Sequence, residues 1–215
     1  MTELVFVLDR SGSMAGLVAD TIGGFNSMLQ KQKREPGECL VSTVLFDNET
    51  EVIHDRVPLE KVPELTDKEY FVRGCTALLD AVGGAIHHIG NVHKYARPDD
   101  RPERTLFVIT TDGLENASRR YDYDKVKTML ERQKEKYGWE FIFLGANIDA
   151  AKEAARFGIS ADRAVRYESD HKGTALNYEV ISEAVSSVRA CPAAPLAAGW
   201  KDRIEADFKK RGRKV

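Results

Sequence analysis

Short runs of strand-forming residues alternate along this chain with segments whose apolar residues recur at helical spacing, and that alternation leaves few folds open. Leu4-Val5-Phe6-Val7-Leu8 is the first run. Leu17, Val18, Thr21, Ile22, Phe25, Met28 and Leu29 then share a helical face, which predicts a helix over about 16–33 closed by Pro36-Gly37. Residues 40–46 and 51–57 read as two strands joined by Asp47-Asn48-Glu49-Thr50, a link short enough to require an antiparallel pair at a sheet edge. Leu78, Leu79, Val82, Ile86, Ile89 and Val92 predict a helix over 77–95, and the Pro- and Asp-rich stretch 97–102 reads as a loop. Residues 105–110 are strand formers without a period, as a central strand covered on both faces requires. Beyond them come a helix with Val126, Met129 and Leu130 capped by Asp122 or Asp124, a strand over 140–144 and a short helix over 149–157 ended by Gly158. A strand over 164–167 and a helix over 175–188 complete the series. The pattern predicts an α/β domain, a mostly parallel sheet with one antiparallel edge strand and helices on both faces.

Sheets of this kind hold ligands beyond the carboxyl ends of their strands, near the point where strand order reverses. Three such ends carry oxygen-bearing side chains. The first strand runs into Asp9-Arg10-Ser11-Gly12-Ser13-Met14, the second long helix is preceded by Arg73-Gly74-Cys75-Thr76, and the central strand ends in Thr110-Thr111-Asp112-Gly113-Leu114-Glu115-Asn116. Asp9 and Asp112 supply two negative charges, and Ser11, Ser13 and Thr76 add neutral hydroxyls. Hard cations such as Mg²⁺ take oxygen ligands, and Mn²⁺ accepts the same set. Gly12, between the two serines, eases the turn that lets alternate residues converge. Two carboxylates balance one divalent ion, while neutral hydroxyls leave it able to accept an outside carboxylate or water. Both carboxylates are read as surface-loop positions, so that removing either should abolish metal binding and spare the fold. Arg10, Met14, Glu115 and Asn116 are expected on the rim, where a partner would touch them.

Taken together, Asp9-x-Ser11-x-Ser13, Thr76 and Asp112-Gly113, in this order after apolar strands, resemble the metal-ion-dependent adhesion site of von Willebrand factor type A (vWA) domains over residues 1–188. The resemblance implies a Rossmann-like sheet with one antiparallel edge strand. It also implies that Asp9, Ser11, Ser13 and Thr76 surround the metal, with Asp112 acting directly or through water. A typical partner in the family contributes an acidic side chain to the ion, and many bacterial-type cytoplasmic members work within multiprotein assemblies. One departure is Gly74-Cys75-Thr76, where the family commonly has two glycines before the threonine, so that a thiol stands close to the site.

The 215 residues suit one domain over 1–190 and an extension over 191–215, the latter with a short amphipathic helix (Trp200, Ile204, Phe208) and a basic tail. Residues 209–214 hold five of the 32 basic residues and none of the 34 acidic ones, leaving the rest at a net −7. Such a terminus is usually just solvated, and no nucleic-acid surface is read from it. Apolar runs too short for a membrane helix, a first run broken by Glu3 and Asp9, and three cysteines without a pairing pattern point to a cytoplasmic protein with reduced thiols. His87, His88 and His93 lack the companions of a transition-metal site. The competing enzyme reading is a Mg²⁺-dependent phosphatase-like hydrolase using Asp9 as nucleophile. It needs a second carboxylate two positions on, and Ser11 stands there. No phosphate-cradling glycine motif occurs at the first turn.

Overall fold

The computed structural model describes residues 1–191 and 193–211. Strands β1 (Thr2–Asp9), β2 (Cys39–Phe46), β3 (Thr50–Pro58), β4 (Arg104–Thr111), β5 (Glu140–Ala146) and β6 (Ala164–Tyr167) make one sheet, ordered β3-β2-β1-β4-β5-β6. All neighbours are parallel except β2 and β3, the short-linked pair at one edge. The helices are α1 (Val18–Gln32), α2 (Leu78–Tyr95), α3 (Tyr123–Tyr137), α4 (Ala150–Arg156), α5 (His171–Ala190) and α6 (Asp202–Arg211).

Every residue of β1 is buried, because a central parallel strand is covered on both faces. Side chains alternate across it. Leu4, Phe6 and Leu8 pack with Phe25, Met28 and Leu29 of α1 and Val180, Ile181 and Val185 of α5, while Val5 and Val7 pack with α2, α3 and α4. Even Glu3 is fully buried, paired with Arg56 Nε at 2.7 Å and hydrogen-bonded to His93 Nε2 at 2.5 Å. His88 pairs with Asp55 and His87 with Asn91, so the three histidines of α2 serve separate contacts.

Helix α5 starts four residues before the predicted 175. Its first turn carries no apolar period, but the Asp170 side chain accepts the Gly173 N–H at 2.7 Å and caps it. Asp122 and Asp149 cap α3 and α4 in the same way. The segment after 191 lies on the β6 side: Leu196 and Ile204 join the core with α5, and Trp200 Nε1 donates to the Asp162 carbonyl at 2.9 Å. Of the basic run, Arg213 and Lys214 lie outside the described residues, and Arg211 pairs with Asp170 and Asp207. No described helix is long and apolar enough to cross a membrane. Cys39, Cys75 and Cys191 are free thiols.

Candidate metal centre

Chain connection leads from β1 to β2 on one side, and β4 lies on the other, so the carboxyl ends of β1 and β4 border the point where strand order reverses. Asp9 ends β1, Thr111 ends β4, and Asp112 follows it. Asp9 Oδ1 accepts the Ser11 N–H at 2.7 Å, and Oδ2 accepts the Thr111 hydroxyl at 2.6 Å. The Ser13 hydroxyl donates to Asp112 Oδ1, so its proton is committed there and Ser11 Oγ donates to Ser13 Oγ across 3.1 Å. Thr76 closes the group: a Cβ built on Gly113 would lie 3.3 Å from Thr76 Oγ1 and 3.5 Å from Ser13 Oγ. All five residues expected at the site are therefore brought together.

Loop-to-loop hydrogen bonds hold this arrangement. The Gly12 N–H donates to the Gly74 carbonyl at 3.2 Å, and the Tyr70 phenol donates to the Asp9 carbonyl at 2.5 Å. The glycine that matters conformationally is Gly74, at φ +66° and packed against Asn48, where any side chain would be strained. Gly12 keeps an ordinary φ within a short 3₁₀ turn, Gly12–Met14.

Both carboxylates are buried, Asp9 at 1% and Asp112 at 3% exposure, which corrects their reading as surface-loop positions. Burial pushes the Asp9 carboxyl above the ordinary carboxylate range, against the pull of hydrogen bonds from Ser11 and Thr111. Burial also raises Asp112, with the Asp9 charge adding to it and the Ser13 hydrogen bond opposing. Asp112 Oδ2 is buried and has no hydrogen-bond partner among the described residues. A partnerless carboxylate oxygen in a set of oxygen donors fits a hard cation, which would satisfy the atom and offset both charges. No three His, Cys, Asp or Glu side chains gather to form a metal-ligating group among the described residues. Thr111 is the site residue that sequence reasoning left unassigned; it stands directly before Asp112, where it looks like one more strand former.

The rim assignment needs correcting at three of its four positions. Arg10 is fully buried, with Nε on Asp47 Oδ2 at 2.9 Å and Nη1 on Glu51 Oε2 at 2.7 Å. Acidic residues of the β2–β3 hairpin draw it inward from the rim position expected just after a strand end. Met14 is buried, folded under by the 3₁₀ turn. Glu115 is half-buried and accepts N–H groups from Leu79, Ala117 and Ser118, which makes it a cap for α2 and for its own loop. Asn116 stays exposed, but its Oδ1 accepts the Thr76 N–H at 2.9 Å and so steadies a site residue.

Comparison with solved structures identifies this arrangement of strands. Proximal thread matrix protein 1 from the mussel byssus, with a zinc-occupied MIDAS motif, matches at a TM-score of 0.59 and 15% identity over 86% of this chain and 46% of its own. The D319A mutant of the PilB minor pilin from Streptococcus sanguinis matches at 0.60 and 13% over 90% of this chain and 63% of its own. A von Willebrand factor type A protein from Catenulispora acidiphila matches at 0.57 and 14% over 86% and 42%. This chain has the vWA fold. It spans about half the length of these vWA-like structures, and identities this low speak for the fold alone. No protein-family model and no curated protein sequence matches the chain. The mostly parallel sheet with its antiparallel edge is thus that of a vWA fold, and the side chains at its carboxyl ends are this chain's own.

Proposed function

We propose that the chain binds one divalent cation, Mg²⁺ or Mn²⁺, through Asp9, Ser11, Ser13, Thr76 and Asp112, and uses it to hold an acidic side chain of a partner protein. The observation that carries this reading is the buried, partnerless Asp112 Oδ2 within a group of oxygen donors drawn from three loops. Two buried carboxylates without a cation leave uncompensated charge in a poorly solvated place, and a divalent ion removes that cost. Three of the five ligands are neutral, so the ion keeps the capacity to accept an outside carboxylate. We also read the chain as a non-enzymatic binding module, since Ser11 stands where a phosphatase-type mechanism needs an acid. A cytoplasmic setting accords with three free thiols.

Calorimetric titration of the metal-stripped chain with Mg²⁺, Mn²⁺ and Zn²⁺, beside Asp9→Ala, tests the metal. Zn²⁺ is included because the mussel protein of this fold carries it. The expected result is saturable binding near one equivalent in the parent and none in the variant. A folded parent that binds none of the three ions would sink the mechanism while leaving the fold intact.

A further inference from the structure

Five large hydrophobic side chains stand exposed among the described residues: Val52, Phe71, Tyr95, Leu114 and Tyr137. Two of them, Phe71 at 42% and Leu114 at 55%, belong to the loops that build the candidate metal centre. Phe71 follows Tyr70, whose phenol holds the Asp9 carbonyl, and precedes Arg73, whose N–H donates to the Arg10 carbonyl at 2.9 Å. Its ring lies 5.2 Å from the Arg10 guanidinium carbon and 5.5 Å from that of Arg73. Leu114 sits between Gly113, where an added Cβ would meet the Thr76 and Ser13 hydroxyls, and Glu115, whose carboxylate is fixed to α2.

Neither exposure follows from loose backbone: Phe71 is flanked by the hydrogen bonds above, and Leu114 by those from the Gly113 N–H to Thr111 Oγ1 at 3.3 Å and from the Asn116 N–H to the Thr76 carbonyl at 3.0 Å. Two apolar side chains held in water on the loops that build one polar site offer contact area to whatever binds there. An aromatic ring already ordered by two guanidiniums costs little further entropy on binding, the property of an anchor residue. Charge points the same way. Asp9 and Asp112 cancel a divalent ion, so a partner carboxylate gains one direct bond at the ion and little long-range attraction. Affinity beyond that bond has to come from neighbouring contacts.

We infer that the partner is a protein segment whose metal-bound acidic residue is flanked by apolar side chains seated on Phe71 and Leu114. This inference rests on the proposed metal-dependent reading.

The test is selection from a fully randomised displayed peptide library on the full chain, with Mg²⁺ and with a chelator, followed by affinity measurement on the parent, Phe71→Ala, Leu114→Ala and the double variant. The expected outcome is chelator-sensitive enrichment of an acidic residue with apolar neighbours. Each single variant should bind the selected peptides about tenfold more weakly at unchanged Mg²⁺ affinity. Acidic peptides enriched without apolar neighbours, or held equally well by the double variant, would overturn the inference and leave the metal-dependent reading standing. Loss of acidic enrichment altogether in a chain that binds Mg²⁺ would remove both. Self-association of the parent that Phe71→Ala abolishes would assign the patch to a second copy of the chain, and so overturn the inference as well.

Discussion

Arg10 keeps a full positive charge out of water because three acceptors surround it: Asp47 Oδ2, Glu51 Oε2 and, at 3.2 Å, the Glu69 carbonyl. Asp47 is shared with Arg73, whose Nε stands 2.8 Å from the same oxygen. Burial pushes the Asp47 carboxyl up, but hydrogen bonds from Arg73, the Glu49 N–H and Arg10 outweigh it and hold the group low. The pair ties the loop after β1 to the β2–β3 hairpin, and the Asp47 carbonyl accepts the Ala77 N–H beside Thr76. A buried ion pair adds little over a well-packed apolar substitute, but breaking one side is costly. Arg10→Met should therefore cost about 3 kcal/mol, since it takes from Asp47 its buried cation and leaves it the half-exposed Arg73 and the Glu49 N–H. Urea unfolding of the metal-free chain checks this; a loss under about 1 kcal/mol would mean the pair only offsets its own desolvation.

At the scale of elements, α2 has no side-chain cap of its own at Ala77, and the loop after β4 supplies what is missing. Glu115 accepts the Leu79 N–H at 2.8 Å and Ser118 Oγ accepts that of Asp80 at 2.9 Å, satisfying donors that a helix start leaves free. In return, the Asp80 carboxylate accepts the N–H groups of Arg119, Arg120 and Tyr121. The two loops that carry Thr76 and Asp112 are thereby locked to one helix end. Asp80→Ala strands three N–H groups and should cost about 1–3 kcal/mol by chemical denaturation. Burial alone would raise the Asp80 carboxyl, but the three backbone donors outweigh it and hold it below the ordinary range. Its contribution is thus full above the unfolded carboxylate value and is lost as pH falls through the lowered folded value. Asp80→Asn should flatten that part of the acid limb of the stability curve, and an unchanged limb would show that other carboxylates dominate it.

Over the whole molecule, one sheet divides two apolar cores, and the last described segment completes the one around α1 and α5. Ile204 of α6 is buried there with Val165 and Val188, while Lys201 Nζ donates to the carbonyls of Ala161 (2.6 Å) and Ala164 (2.9 Å) at the β6 edge. Covering an edge strand in this way blunts its tendency to pair with another chain. Ile204→Ala should cost about 2–4 kcal/mol and lower the thermal midpoint of a single cooperative transition. A separate early transition in the parent would instead show that the segment after residue 191 melts on its own.

Apolar runs and helical periodicity together determined the number, order and type of the main elements, because a strand buried on both faces reads as an unbroken apolar run and an amphipathic helix imposes a repeat. The same patterns located the candidate site, since polar oxygens directly after apolar runs stand out whatever the packing; Asp9, Ser11, Ser13 and Asp112 were legible in this way, and Thr76 as a hydroxyl in the loop before the second long helix. Tertiary structure alone decided which neighbours of those residues face water. Arg10 and Glu115 look like solvated loop charges in sequence. Their partners, Asp47 and the α2 amino end, lie 37 and 36 residues away, so no local pattern could reveal them. Thr111 was hidden for the opposite reason. As the last residue of a β-branched run it looks like one more strand former, and only the parallel pairing of β1 with β4 aims its hydroxyl at Asp9. Local repeats record burial, whereas the sign and partner of a buried charge are set by whatever the fold brings across from elsewhere in the chain.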